Sequence, residues 1–132
     1  MTKSLFLGID CVMLRVSELE SAIGFYCGRL HHELVWRLPA AAGLRLPGTT
    51  AELVLHTEHG PEVDLLVDNV EEAFDRFLRA GGTAIEPPFD ISIGRCAVVR
   101  DPFGNTLTML DQTKGAFATD DSGRVVGVTP PH

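Results

Sequence analysis

The chain has 132 residues, 45% of them hydrophobic and 22% charged, which suits one domain with its own core and is unlike a disordered segment. Its formal net charge of -7 argues against nucleic acid as a partner, because phosphate binding needs a basic surface. The three cysteines, Cys11, Cys27 and Cys96, are odd in number and show no paired spacing, a pattern that suits a reducing, cytoplasmic compartment.

The apolar stretch from Leu5 to Leu14 is interrupted by Asp10 and closed by Arg15, so it reads as neither a signal peptide nor a membrane span. Within it Val12, Leu14 and Val16 alternate with the period of a half-buried strand. Ser17 with Glu20 has the spacing of a capping box, and Leu19, Ala22, Ile23, Tyr26 and Leu30 then form one helical face. Three shorter strand candidates follow, Glu33–Leu38, Leu44–Leu46 and Glu52–Thr57, separated by Pro39-Ala-Ala-Ala-Gly43 and Pro47-Gly48.

The pattern then starts again. Val63, Leu65 and Val67 alternate, and Asp68 with Glu71 repeats the capping box. Val70, Ala73, Phe74, Phe77 and Leu78 make a second helical face, which Gly81-Gly82 ends. Strand candidates Thr83–Glu86, Arg95–Arg100 and Thr106–Asp111 are separated by Pro87-Pro88 and by the turn Asp101-Pro-Phe-Gly-Asn105. The tail, residues 115–132, is rich in Gly, Asp and Pro, with a short hairpin expected around Asp121-Ser-Gly123.

Shifting the chain by 51 residues places Val12, Leu14 and Val16 on Val63, Leu65 and Val67, Glu20 on Glu71, Ala22 on Ala73 and Tyr26 on Phe77. A register shared through strand, cap and helical face predicts an α+β protein of two βαβββ modules, about 8–58 and 61–112.

The stretch Gly8 to Tyr26, with its Phe25-Tyr26 pair and the following Arg29-Leu30, resembles the opening strand and helix of the vicinal oxygen chelate superfamily, which includes glyoxalases, bleomycin-resistance proteins and extradiol dioxygenases. Val67-Asp-Asn-Val-Glu-Glu-Ala73 is similar to the start of that family's second helix, and Asp101-Pro-Phe-Gly-Asn-Thr-Leu107 to the turn before its last strand. The resemblance covers roughly Ile9 to Asp111 and implies curved mixed sheets enclosing a cup, with helices outside. It also implies a homodimer and, in many members, a divalent metal in the cup; other members hold a ligand with no metal. Fold alone does not choose between enzyme and binder.

Strand alternation assigns the side chains within that cup. If Val12, Leu14 and Val16 meet a helix, Cys11, Met13 and Arg15 face the other way. By the same rule Glu52, Val54 and His56 face inward, as do Glu62, Asp64 and Leu66, and Thr106, Thr108 and Leu110. The family's metal-ligand positions fall on Cys11, Glu52, Glu62 and Thr108, of which only Glu52 keeps a common ligand type. A set with no imidazole disfavours a divalent metal, although His56 is a possible substitute ligand. No cofactor is therefore expected. His56-Thr-Glu-His59 and His31-His32 read as surface residues, and Cys11 as a small buried thiol.

Glu52 and Glu62 are the candidate catalytic groups, since enclosed carboxylates raise one another's proton affinity. Their plainer role, preferred for Asp64, is to pair with Arg15, Arg37 or Arg95 around the rim. Trp36 reads either as a stacking wall for a ligand or as core packing. The candidate ligand-binding set is thus Cys11, Met13, Arg15, Trp36, Glu52, His56, Glu62 and Thr108. Three functions follow: a metal-independent small-molecule binder; a lyase, isomerase or dioxygenase-type enzyme using Glu52 or Glu62; and a structural or regulatory module whose cup is filled by Met13, Leu66 and Leu110.

Overall fold

Alternating apolar residues and short turns produce ten strands, and the computed structural model describes them within residues 3–131. In chain order these are β1 (Gly8–Arg15), α1 (Leu19–Ile23), a π-helical segment (Gly24–Arg29), β2 (Leu34–Leu38), β3 (Ala41–Arg45), β4 (Glu52–His56) and β5 (Glu62–Leu66). They continue as α2 (Val70–Arg79), β6 (Thr83–Ile91), β7 (Gly94–Arg100), β8 (Thr106–Leu110), β9 (Ala116–Thr119) and β10 (Val125–Thr129). No helix among the described residues is long and apolar enough to cross a membrane.

The chain forms two units. One holds Asp10–Val63 with Phe117–Gly127; the other holds residues 3–9, Asp64–Ala116 and residues 128–131. In the first unit the strands run β2-β3-β4-β1, with β1 parallel to β4 and the other pairs antiparallel. In the second they run β6-β7-β8-β5, with β5 parallel to β8 and the other pairs antiparallel. The order of strands is the same in both, as a duplicated βαβββ unit requires.

In each unit the strands bury one face against that unit's own helix. In the first unit Leu44 and Leu55 are fully buried with Leu19 of α1, and Leu14, Val16, Ile23 and Tyr26 pack against them. In the second, Val99 and Met109 are fully buried with Val70 and Ala73 of α2, under Phe74 and Phe77. Side chains of this kind contribute about 1.5–3 kcal/mol each when fully buried.

Several local expectations need correcting. The first helix does not carry one α-helical face as far as Leu30. After Ile23 the turns widen, as in the Leu30 N–H bond to the Phe25 carbonyl, five residues back. The extra residue rotates the face, so Cys27 joins the core and Leu30 is left 49% exposed. Neither Ser17 nor Asp68 caps a helix. The first helix has Glu18 at its N-cap with no side-chain bond, and the second has Asn69, whose Oδ1 accepts from the Glu72 N–H at 3.0 Å.

Gly81 and Gly82 do end α2: their N–H groups bond the Leu78 and Phe77 carbonyls, and Gly81 has φ +117°. Strand β3 begins at Ala41, inside the stretch expected to be a loop, because Ala42 packs under the helix. Strand β6 runs through Pro87-Pro88, as only an edge strand with bulges can, since proline has no N–H to give to a ladder. Val63 is 45% exposed and does not meet α2, and Asp64 is buried, not on a rim. The tail does form a hairpin, β9 with β10, closed around residues 120–124.

Candidate functional site

Because Leu53 and Leu55 of β4 pack toward α1, Glu52, Val54 and His56 occupy the opposite, helix-free face of the first sheet. The parallel register pairs Cys11 with Glu52, Met13 with Val54 and Arg15 with His56, so these residues line up across two strands. On β3 the register sets Gly43 beside Val54 and Arg45 beside Glu52.

Trp36 reaches this face through a bulge. The pairing of β2 with β3 slips between Leu34 and Trp36, so Leu34 faces the core while Trp36 faces away from it. The indole lies over Gly43, where a Cβ would overlap Nε1, so no larger residue fits beneath the ring. From there Nε1–H donates to Glu52 Oε1 at 2.7 Å. Phe117 of β9 packs on the indole, with ring centroids 4.8 Å apart and planes inclined by 50°.

The electrostatics centre on Glu52. Burial raises its carboxyl above the usual value and the Asp10 charge adds to the rise; the Trp36 N–H and Arg45 oppose it without cancelling it. Cys11, beside it, is a buried thiol. His56 is used differently. Its Nδ1 accepts the N–H groups of Glu58 (3.0 Å) and His59 (3.2 Å), which caps the turn after β4. Both bonds need the Nδ1 lone pair, so the neutral ring carries its proton on Nε2. Burial and the neighbouring His59 hold the ring below its usual pKa, outweighing the charges of Glu58 and Glu62.

The structure thus brings Cys11, Met13, Trp36 and Glu52 together on one face, with Arg15 and His56 at its strand end. Glu62 starts β5, where its charge is felt at His56. Thr108 belongs to the second unit, in register with buried Asp64. Two of the arginines expected around the rim are engaged elsewhere: Arg37 pairs with Glu20, and Arg95 with Glu71 and Asp90. Phe117, Gly43, Asp10 and Arg45 were not among the expected site residues. Gly43, over which the indole lies, reads in the sequence only as the end of a loop.

Among the described residues no group of three or more His, Cys, Asp and Glu side chains could hold a metal ion. One Glu52 oxygen is already engaged by an indole N–H.

The family model of the Glyoxalase/Bleomycin resistance protein/Dioxygenase superfamily matches residues 8–109. The chain belongs to this superfamily. No curated protein matches it. Among solved structures it is similar to methylmalonyl-CoA epimerase from Mycobacterium tuberculosis, with 21% identity and a TM-score of 0.66 over 84% of this chain and 91% of that one. It is similar also to a structure described as NAD-dependent benzaldehyde dehydrogenase from Legionella pneumophila (20%, TM-score 0.63, 77% and 97%). Homoprotocatechuate 2,3-dioxygenase from Brevibacterium fuscum is a third (21%, TM-score 0.57), covering 81% of this chain but 37% of that one. Three different activities on one superfamily fold leave the chemistry to be read from the site.

Proposed function

We propose that this superfamily member binds a small molecule on the helix-free face of its first sheet, without a metal. The observation that carries this reading is the Trp36–Glu52 hydrogen bond. It ties the one family-type ligand residue to an aromatic wall, on a face whose other side chains include Met13 and Val54. Such a surface suits a flat, largely apolar ligand that offers one donor to the carboxyl group. Homodimerisation and cytoplasmic residence go with this reading as expectations from the family and the cysteine content.

The test combines elemental analysis with a thermal-shift screen of small aromatic and oxygenated compounds. Protein purified from metal-supplemented medium is expected to carry well below one metal equivalent per chain. A true ligand at 100 times its Kd stabilises by about 2.7 kcal/mol, and Glu52→Gln removes most of that gain. One tightly held equivalent of metal, lost in Cys11→Ala or Glu52→Ala, would overturn the proposal.

A second reading, a metal-independent lyase or isomerase, is favoured by the raised proton affinity of Glu52, which suits a general base. It requires turnover that Glu52→Gln abolishes; kinetics unchanged from wild type in both Glu52→Gln and Glu62→Gln exclude these roles.

A further inference from the structure

Arg37 and Arg124 are paired in an isolated parallel bridge, fixed by the Arg37 N–H bond to the Gly123 carbonyl at 2.8 Å. Paired residues of a ladder point to the same side, so two guanidinium groups emerge together. They do so on the helix side of β2: Arg37 is in register with core-facing Ala42, and its partner Glu20 belongs to α1. That is the face opposite to Trp36. The two arginines line a groove of about 620 Å³, together with Glu20, Leu38, Pro39 and Val125. Its size is that of small-molecule sites, roughly 300–1,000 Å³.

The charge of the groove is unbalanced. Glu20 answers Arg37, whereas among the described residues no carboxylate forms an ion pair with Arg124. The acids nearest along the chain, Asp121 and Asp120, do not line the groove; Asp120 spends Oδ1 on the Ser122 N–H, the Ser122 hydroxyl and the Arg124 N–H, and its charge is also felt at Arg124. Two guanidinium groups against the one carboxylate that lines the groove, beside Leu38, Pro39 and Val125, favour an anion that carries an apolar body.

We propose that this groove is a second ligand site, for a small organic anion whose carboxylate or phosphate is held by Arg124 beside Arg37. Its apolar body lies on Leu38, Pro39 and Val125. The site is separate from the Glu52 face and does not depend on it.

The experiment follows backbone amide shifts while full-length protein is titrated with benzoate, phenyl phosphate, inorganic phosphate and benzyl alcohol. Saturable shifts at Leu38 and Ser122 to Val125 are expected with benzoate or phenyl phosphate, and whichever binds tighter identifies the anionic group. Inorganic phosphate, lacking the apolar body, binds more weakly. Arg124→Gln, on an exposed turn, weakens binding at least about tenfold, and Glu20→Gln strengthens it several-fold by releasing Arg37. Undiminished binding in Arg124→Gln, equal binding of benzyl alcohol, absence of saturation by any anionic probe, or shifts confined to Met13, Trp36 and Val54 would each sink the proposal.

Discussion

Glu52 is held in a state that favours its proton, and this gives stability a definite dependence on pH. Its folded pKa lies above the ordinary 4.5, with burial the largest cause, so the unfolded chain releases this proton more readily than the native one. The stability it contributes is complete below about pH 4.5 and is lost as pH rises through the folded value. Glu52→Gln keeps an acceptor for the Trp36 N–H and removes the ionisation. Urea unfolding should therefore find the variant at least as stable as wild type near neutral pH, with the advantage gone in mild acid. A variant less stable at neutral pH but not in acid would show that the ionised carboxylate helps the fold. Gly43 supplies a second prediction at this scale. A methyl group there overlaps the indole, so Gly43→Ala should cost about 1–3 kcal/mol and displace the ring. Trp36 is the only tryptophan, so its fluorescence reads this site and nothing else.

At the scale of elements, Asp111 joins three of them. Its carboxylate accepts from Val70 N–H at the start of α2 (2.8 Å), from Arg95 N–H on β7 (2.9 Å) and from the Thr113 N–H and hydroxyl after β8. Burial raises the proton affinity of Asp111, but these bonds outweigh it and leave the carboxyl below its usual value. Its contribution to stability is therefore present above about pH 3.8 and is lost as pH falls through the lowered value. Asp111→Ala orphans the buried Val70 N–H and the half-buried Arg95 N–H and frees the Thr113 turn, and denaturant melts should show a loss on the order of 3 kcal/mol. In the sequence Asp111 only closes a strand candidate and nothing marks it further, because its partners lie as far as 41 residues away. What was legible was local: the alternation of Leu14 and Val16, the α2 face of Val70, Ala73, Phe74 and Phe77, and the Gly81-Gly82 stop. What was not legible depended on geometry between elements. The π-helical segment that turned Leu30 outward keeps an apolar pattern that reads equally well as α-helix. The bulge that turned Trp36 onto the site face appears only as a slip in pairing with β3.

At the scale of the whole chain, the repeat seen at a spacing of 51 residues has its counterpart in the shared strand order β2-β3-β4-β1 and β6-β7-β8-β5. The duplication was readable because each copy kept strand, helix and face in register. The site was readable only in part: alternation alone put Cys11 beside Glu52 on one face, but no local pattern linked the polar tail to it. Phe117 stands near the start of the Gly-, Asp- and Pro-rich tail and reaches Trp36 from about 80 residues away in sequence, a contact no window of neighbouring residues can reveal. Phe117→Ala should red-shift the tryptophan emission and lower stability by about 1–2 kcal/mol. Unchanged emission would mean that the hairpin does not shelter the ring in solution.

The folded unit is longer than the stretch that the family model matches. Family likeness stops at residue 109, yet Phe117–Gly127 is built into the same body as Asp10–Val63. A shortened version trimmed to the shared boundary would strip the cover from Trp36 and take Arg124 away from Arg37. The tail thus contributes to both proposed surfaces, through Phe117 against Trp36 and Arg124 beside Arg37.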